Sequence, residues 1–203
     1  MTEPELIIRP AGATLAEGRI FAYYADIAAE GLFRFMLGPR FQEIVASAYL
    51  EDGHDCCYKH ALFASIDARI VGMAAGFTAE QQRTFSAPPF ARARQLGPLR
   101  RLFVSAVLSP LSRLFDTTAE GDFYLLAIAT DEALRGSGAG TALLQAMEAR
   151  ARAAGARRFA LHVSADNEAA RHFYERRGMS VLSRWPKWRM IPAPRLYHMA
   201  KAL

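Results

Sequence analysis

The stretch with the most chemistry in it runs Ile128-Ala129-Thr130-Asp131-Glu132-Ala133-Leu134-Arg135-Gly136-Ser137-Gly138-Ala139-Gly140-Thr141. An apolar run, 123–128, precedes it. Leu143, Leu144, Met147, Ala151 and Ala154 follow at steps of three and four, and Gly155 stops the pattern. That order predicts a strand, a glycine-rich turn and a helix. Glycine at 136, 138 and 140 leaves main-chain N–H groups uncovered where the helix begins, and the helix dipole adds positive potential there. Such a turn suits a phosphate or pyrophosphate.

Spacing narrows the choice of ligand. A dinucleotide fingerprint begun at Gly136 needs glycine where Thr141 stands, and one begun at Gly138 needs it where Leu143 stands. No Gly-Lys-Ser/Thr follows, so a P-loop fails as well. The pattern that fits is Arg-x-x-Gly-x-Gly from Arg135 to Gly140. A second run supports it: Leu161-His162-Val163-Ser164-Ala165-Asp166-Asn167, then Ala169, Ala170, Phe173-Tyr174 and Gly178-Met179. Together these resemble the two signatures of the GNAT superfamily of N-acetyltransferases, with Met179 standing where the family has Phe. The likeness is specific over 123–179.

The resemblance implies a mixed, mostly antiparallel central sheet flanked by helices, an α/β fold with the cofactor lying where two parallel central strands diverge. It also implies acetyl-CoA as acyl donor and direct attack by an amine, without a covalent intermediate. Arg135, Gly136, Ser137, Gly138, Ala139, Gly140 and Thr141 would hold the pyrophosphate. Ile128, Ala129 and Thr130 would line the pantetheine, with one amide serving as oxyanion donor. Asn167 would contact the pantetheine, although Asp166 or Asn167 also reads as a helix N-cap. Tyr174 would protonate the leaving thiolate; a phenol of pKa about 10 and a thiol of about 8.5 are close enough for transfer.

His162 is the candidate base. It alternates away from Phe159, Leu161 and Val163, which aims it at the cleft, and an imidazole of pKa about 6.5 suits an ammonium proton. A satisfied structural histidine is the competing reading. Asp122 and Glu132 are the nearby carboxylates, both read as solvated loop residues. His54, Asp55, Cys56, Cys57 and His60 cluster without the paired spacing of a zinc site, so no metal is expected.

The 203 residues suit one domain spanning 1–203; 52% are hydrophobic and 22% charged, ordinary values for a globular core. No apolar run spans a membrane and the first twenty residues lack a signal-peptide pattern, so a cytoplasmic protein is expected. The net charge of +5 agrees with a polyanionic ligand such as coenzyme A.

Residues 6–9 read as a first strand. Thr14 with Glu17 reads as a capping box opening a helix over 15–30, and a second helix follows over 40–50. Residues 60–66 and 70–77 form a hairpin around Asp67-Ala68-Arg69, with Gly72 and Gly76 marking bulges or close approach. Segment 78–120 reads as a helical insertion between the third and fourth strands. Its helix begins at Gly97-Pro98, carries Leu99, Leu102, Phe103, Ala106 and Val107 on one face, and breaks at Ser109-Pro110, with a further helical turn over 111–115. Packing of that face on the sheet is the expectation; a lid, a homodimer contact or a membrane-surface patch are the alternatives. Strands over 181–185 and 196–203 close the chain.

The acceptor would be a small-molecule or peptide amine, held by the 31–38 turn, the insertion and the 185–194 loop. A non-catalytic acyl-CoA-binding module is the competing function. Nucleic acid fits poorly, because the arginines of the insertion are not interleaved with stacking aromatics.

Overall fold

The computed structural model describes residues 5–86, 90, 96–112, 118–134, 136–185 and 195–203. Seven strands make one open sheet: β1 (Leu6–Pro10), β2 (Ala61–Ile66), β3 (Arg69–Thr78), β4 (Asp122–Thr130), β5 (Arg158–Ser164), β6 (Ser180–Trp185) and β7 (Leu196–Ala202). Their order is β1-β2-β3-β4-β5-β7-β6, and every neighbouring pair is antiparallel except β4 with β5. Among the described residues seven α-helices accompany them: α1 (Leu15–Ala28), α2 (Leu32–Leu37), α3 (Phe41–Tyr49), α4 (Ala79–Arg83), α5 (Pro98–Ser112), α6 (Ala139–Ala153) and α7 (Glu168–Glu175).

Alternation along the strands divides the core between two faces. Phe63, Met73 and Ala75 join Phe21, Ile44, Val45 and Tyr49 under α1 and α3. Leu62, Ala64, Ala74, Phe123, Phe159 and Leu161 join Leu143, Leu144 and Met147 under α6. The expected close approaches at the β3 glycines are real. A Cβ at Gly76 would stand 2.6 Å from the Phe123 ring, and one at Gly72 would stand 2.9 Å from Thr130 Cγ2. The β2–β3 hairpin turns on Asp67 and Ala68, both at positive φ (48° and 63°).

Four expectations need correction. Thr14 caps α1 by accepting from the Glu17 amide at 3.2 Å, but the Glu17 carboxylate reaches Gly12 N and Arg9 instead of closing a capping box. Residues 31–38 are not a plain turn: α2 forms there, because buried Asp26 accepts from the Arg34 amide at 2.9 Å and pairs with its guanidinium. Pro110 does not break α5, since it falls in the last turn, where one missing N–H leaves the preceding bonds intact.

The fourth concerns the apolar face of α5, which does not pack on the sheet. Leu99 and Leu102 are 83% and 70% exposed, and among the described side chains of this helix only Val104, on the next face, is buried. The helix leans on α2 instead, where Arg100 Nε donates to Met36 O at 2.7 Å and the rings of Phe35 and Phe103 meet at 5.7 Å. Among the described residues no helix is long and apolar enough to cross a membrane.

Candidate active site

β4 changes character at Leu126. Leu125 pairs with Gly76 and Ala127 with Ala75, so Leu126 is an extra residue without an opposite number. The bulge swaps faces: Leu125 belongs to the core under α6, whereas Ala127 and Ala129 join the core under α1. The parallel ladder to β5 ends at the same point, with Leu125 opposite Leu161. Beyond it residues 127–130 pair with β3 alone among the described strands, and their other edge has no strand partner there. Ile128, Ala129 and Thr130 lie on that divergent stretch.

Asp131 ties the end of β4 down. Its amide donates to Val71 O at 2.9 Å, while Tyr24 donates to Oδ1 at 2.6 Å and Arg69 to Oδ2 at 2.9 Å. The glycine-rich turn follows. Arg135 lies outside the described residues. Gly136 and Gly138 take φ of 87° and 91°, a region that favours glycine, and a Cβ at either would meet nothing within 4 Å. The Ser137 amide turns back to Leu134 O at 3.1 Å, and its hydroxyl lies 3.5 Å from the Ala139 amide. Gly140 and Thr141 occupy the first turn of α6, whose amides have no acceptor within the helix. Arg177 adds a cation that the sequence reading missed: its guanidinium lies 3.6 Å over the Phe173 ring and donates to Thr141 Oγ1. An open hollow of about 420 Å³ adjoins this end, lined in part by Thr141, Gln145, Arg176 and Arg177.

At the other end of the divergence stand polar groups from three strands and a helix. The Tyr124 hydroxyl is 2.9 Å from His162 Nδ1, and the His162 ring stacks on His198 at 4.9 Å and 20°. Burial pushes the His162 imidazole down to about 4, with the neighbouring His198 adding to the effect. Burial also raises the Tyr124 phenol, so it stays protonated beside the neutral ring. The other ring nitrogen, Nε2, is buried and has no partner among the described residues. Tyr174 of α7 is buried, its phenol raised by desolvation, and close enough to Tyr124 to act on its ionisation. Behind Tyr124 the rings of Phe77, Phe85 and His60 continue the wall, with centroids 5.1 to 5.9 Å apart.

Asn167 is the N-cap of α7, accepting from the Ala170 amide at 3.0 Å, and its Nδ2 reaches Glu30 at the end of α1 (3.3 Å). Asp122 is not the solvated carboxylate expected. It is 2% exposed and takes two bonds from Arg158, each 2.7 Å, so it holds β4 to β5. Glu132 is exposed on a short helical turn. Met179 fills the core under α6 in the place of the family's Phe. Folding brings one donor atom each of His54, Asp55 and Cys56 within 4.8 Å of one another. Burial keeps the Cys56 thiol protonated, and the Cys56 amide occupies His54 Nδ1 at 3.2 Å. Tyr124 sits inside an apolar run and Asp55 in a turn; neither carries a motif.

An open mixed sheet whose two parallel strands part at a bulge above a glycine-rich helix start defines the acetyltransferase fold. Several solved structures share it. An acetyltransferase matches at 22% identity over 97% of this chain and 98% of its own, with a TM-score of 0.65. The N-acetyltransferase from Staphylococcus aureus Mu50 matches at 15% identity, covering 96% and 100%, with a TM-score of 0.63. The ribosomal-protein-S18-alanine N-acetyltransferase from Escherichia coli matches at 15%, covering 98% and 94%, at 0.52. No curated protein matches the chain. The model of the Acetyltransferase (GNAT) family matches residues 30–179. The chain belongs to that family, whose members transfer acyl groups from acyl-CoA to amines.

Proposed function

We propose that this protein is an acetyl-CoA-dependent N-acetyltransferase acting on a primary amine by direct attack. The observation that carries the reading is the coincidence of the Leu126 bulge with the end of the β4–β5 ladder. The parting strands would leave a slot from the glycine-rich turn to the Tyr124–His162–Tyr174 cluster. Acetyl-CoA would lay its pyrophosphate on the amides of 136–141 and its pantetheine along Ile128, Ala129 and Thr130, with Asn167 on the opposite lip. An amide of the divergent stretch would take the thioester oxygen as charge develops on it.

The groups have distinct parts. Tyr174, held protonated by burial, would hand its proton to the departing sulfur. His162 is held neutral and bonded to Tyr124 through Nδ1, and its unpartnered Nε2 would serve as the candidate base for the amine. The amine would attack the thioester carbon directly.

Calorimetric titration with acetyl-CoA tests the reading, beside Gly138→Glu and Tyr174→Phe. Micromolar binding by the wild type, lost in Gly138→Glu, is expected. Tyr174→Phe should bind normally and turn over at least about tenfold more slowly. Absence of acetyl-CoA binding by the wild type would overturn the proposal, and binding without acetylation of any amine would favour an acyl-CoA-sensing module.

A further inference from the structure

Four large apolar side chains stand together in water on α2 and α5. Leu99, Leu102 and Phe103 occupy positions i, i+3 and i+4 of α5, which puts them on one side of that helix. They are 83%, 70% and 38% exposed. Phe35 of α2, 63% exposed, meets the Phe103 ring at 5.7 Å and carries the patch onto the second helix. Val104 points the other way, into the core under α1 and α3, so the helix is anchored by the side opposite its leucines. Leucines exposed one at a time are ordinary in a folded protein. A contiguous apolar group on two packed helices marks a surface that meets something other than water.

The charge around the patch narrows what that is. α2 and α5 lie within residues 31–42 and 84–115, and these two stretches hold seven arginines and no aspartate or glutamate. That exceeds the net charge of +5 carried by the whole chain. On the helices, Arg100 donates to Met36 O and Phe35 O, and Arg101 donates to Leu96 O. Carbonyl acceptors hold a guanidinium in place without cancelling its charge. Arg100 also lies 5.5 Å from the centre of the Phe103 ring. Arg34 shares its charge with buried Asp26 and stays exposed. An apolar centre with cationic shoulders is the pattern of a helix that lies in the interface of a bilayer.

We propose that the outer face of α2 and α5 docks on an anionic membrane surface. Phe35, Leu99, Leu102 and Phe103 enter the head-group region, while Arg100 and Arg101 meet lipid phosphates. A second copy of the chain fits this face less well. An isologous contact would set the arginines against their own copies, with no carboxylate in either helix to separate them. Nucleic acid also fits less well, because the centre of the face is leucine rather than a stacking ring. Glu30, two residues ahead of α2, meets Asn167 Nδ2 at 3.3 Å, so the docking face adjoins one lip of the candidate site. The inference itself does not rest on the acetyltransferase reading.

The test is co-sedimentation of the full chain with vesicles of phosphatidylcholine containing about one-third phosphatidylglycerol, and with vesicles of phosphatidylcholine alone. The anionic vesicles should bind at least about tenfold more tightly, and raising the salt from about 0.1 to about 0.5 M should release the protein. Leu99→Gln combined with Leu102→Gln should weaken binding about tenfold. Both side chains already face water, so this variant should keep its fold, which circular dichroism checks. Leu182→Gln alters a half-exposed leucine on β6 and should leave vesicle affinity within about twofold. In a Leu99→Trp variant, the added fluorescence should move to the blue with anionic vesicles only.

A wild-type protein that ignores anionic vesicles, or binds both kinds alike, sinks the proposal. An equal loss in Leu182→Gln does the same, because binding would then not belong to this face. Sedimentation equilibrium showing a dimer that the double variant dissolves would assign the face to a second copy instead. Titration with acetyl-CoA, run alongside, keeps the two readings apart. Its failure removes the acetyltransferase and leaves the docking face standing, whereas normal acetyl-CoA binding without vesicle binding removes the docking face alone.

Discussion

The Tyr124 hydroxyl stands 2.9 Å from His162 Nδ1, and it joins the two parallel strands one pair before they part. The bond fixes the position of the ring. Tyr124→Phe removes it and leaves Nδ1 without its partner in a buried setting. A single hydrogen bond of this kind contributes about 1 kcal/mol, so kcat/KM should fall about fivefold while acetyl-CoA affinity is retained. A fall in affinity with an unchanged kcat would mean that Tyr124 shapes the cofactor slot instead.

Two histidines make stability depend on acidity. Burial, the largest cause for both, pushes His60 and His162 down to about 4. Folding therefore favours the neutral rings relative to an unfolded value of about 6.5. The stabilisation is present in full above about pH 6.5 and is lost as the pH falls through that value toward 4, because the unfolded chain then binds protons that the folded one does not. Urea denaturation at pH 7 and pH 4.5 should show a loss of about 2 kcal/mol for each ring, discounted for their residual exposure. His162→Gln should lose less over the same interval than the wild type. A slope unchanged in that variant would remove His162 from the effect.

What could be read from the chain divides along a physical line. The β2–β3 hairpin, the strand–turn–α6 unit and the cap at Asn167 are written in residues near one another, so they were legible. Helix α2 was not, because it hangs on Asp26 accepting from an amide eight residues away. The apolar stripe of α5 was visible, but periodicity says only that a face exists and not what meets it. Asp122 looked solvated because its partner, Arg158, is brought in by the parallel β4–β5 pairing. Tyr124 is an ordinary residue in an ordinary stretch, and only folding sets it beside His162.

The glycines separate into those needed for space and those needed for backbone shape. At Gly76 a Cβ would lie 2.6 Å from the Phe123 ring and 2.8 Å from Tyr124 O, so the neighbouring strand itself must shift. Gly76→Ala should cost about 3 kcal/mol, at the upper end of overpacking, and should disturb the bulge opposite. Gly138→Ala has open space but a φ of 91°, so the expected cost is about 1 kcal/mol of backbone strain. Gly140→Ala meets Phe173 and Thr130 only at an ordinary 3.9 Å and should be tolerated. Denaturation midpoints that rank Gly140→Ala as the most harmful would contradict this geometry.

The exposed side of α5 predicts a contrast within one helix. Leu102 is 70% exposed and Val104, two residues on, is buried in the core under α1 and α3. Leu102→Gln removes apolar surface that water already covers, so stability should stay within about 0.5 kcal/mol of wild type. Val104→Ala empties a packed position and should cost about 1–2 kcal/mol. Had the stripe packed on the sheet, as its periodicity suggested, the order of these two effects would be reversed. Thermal denaturation of the two variants distinguishes the arrangements directly, and a Leu102→Gln loss larger than that of Val104→Ala would require α5 to turn about its axis in solution.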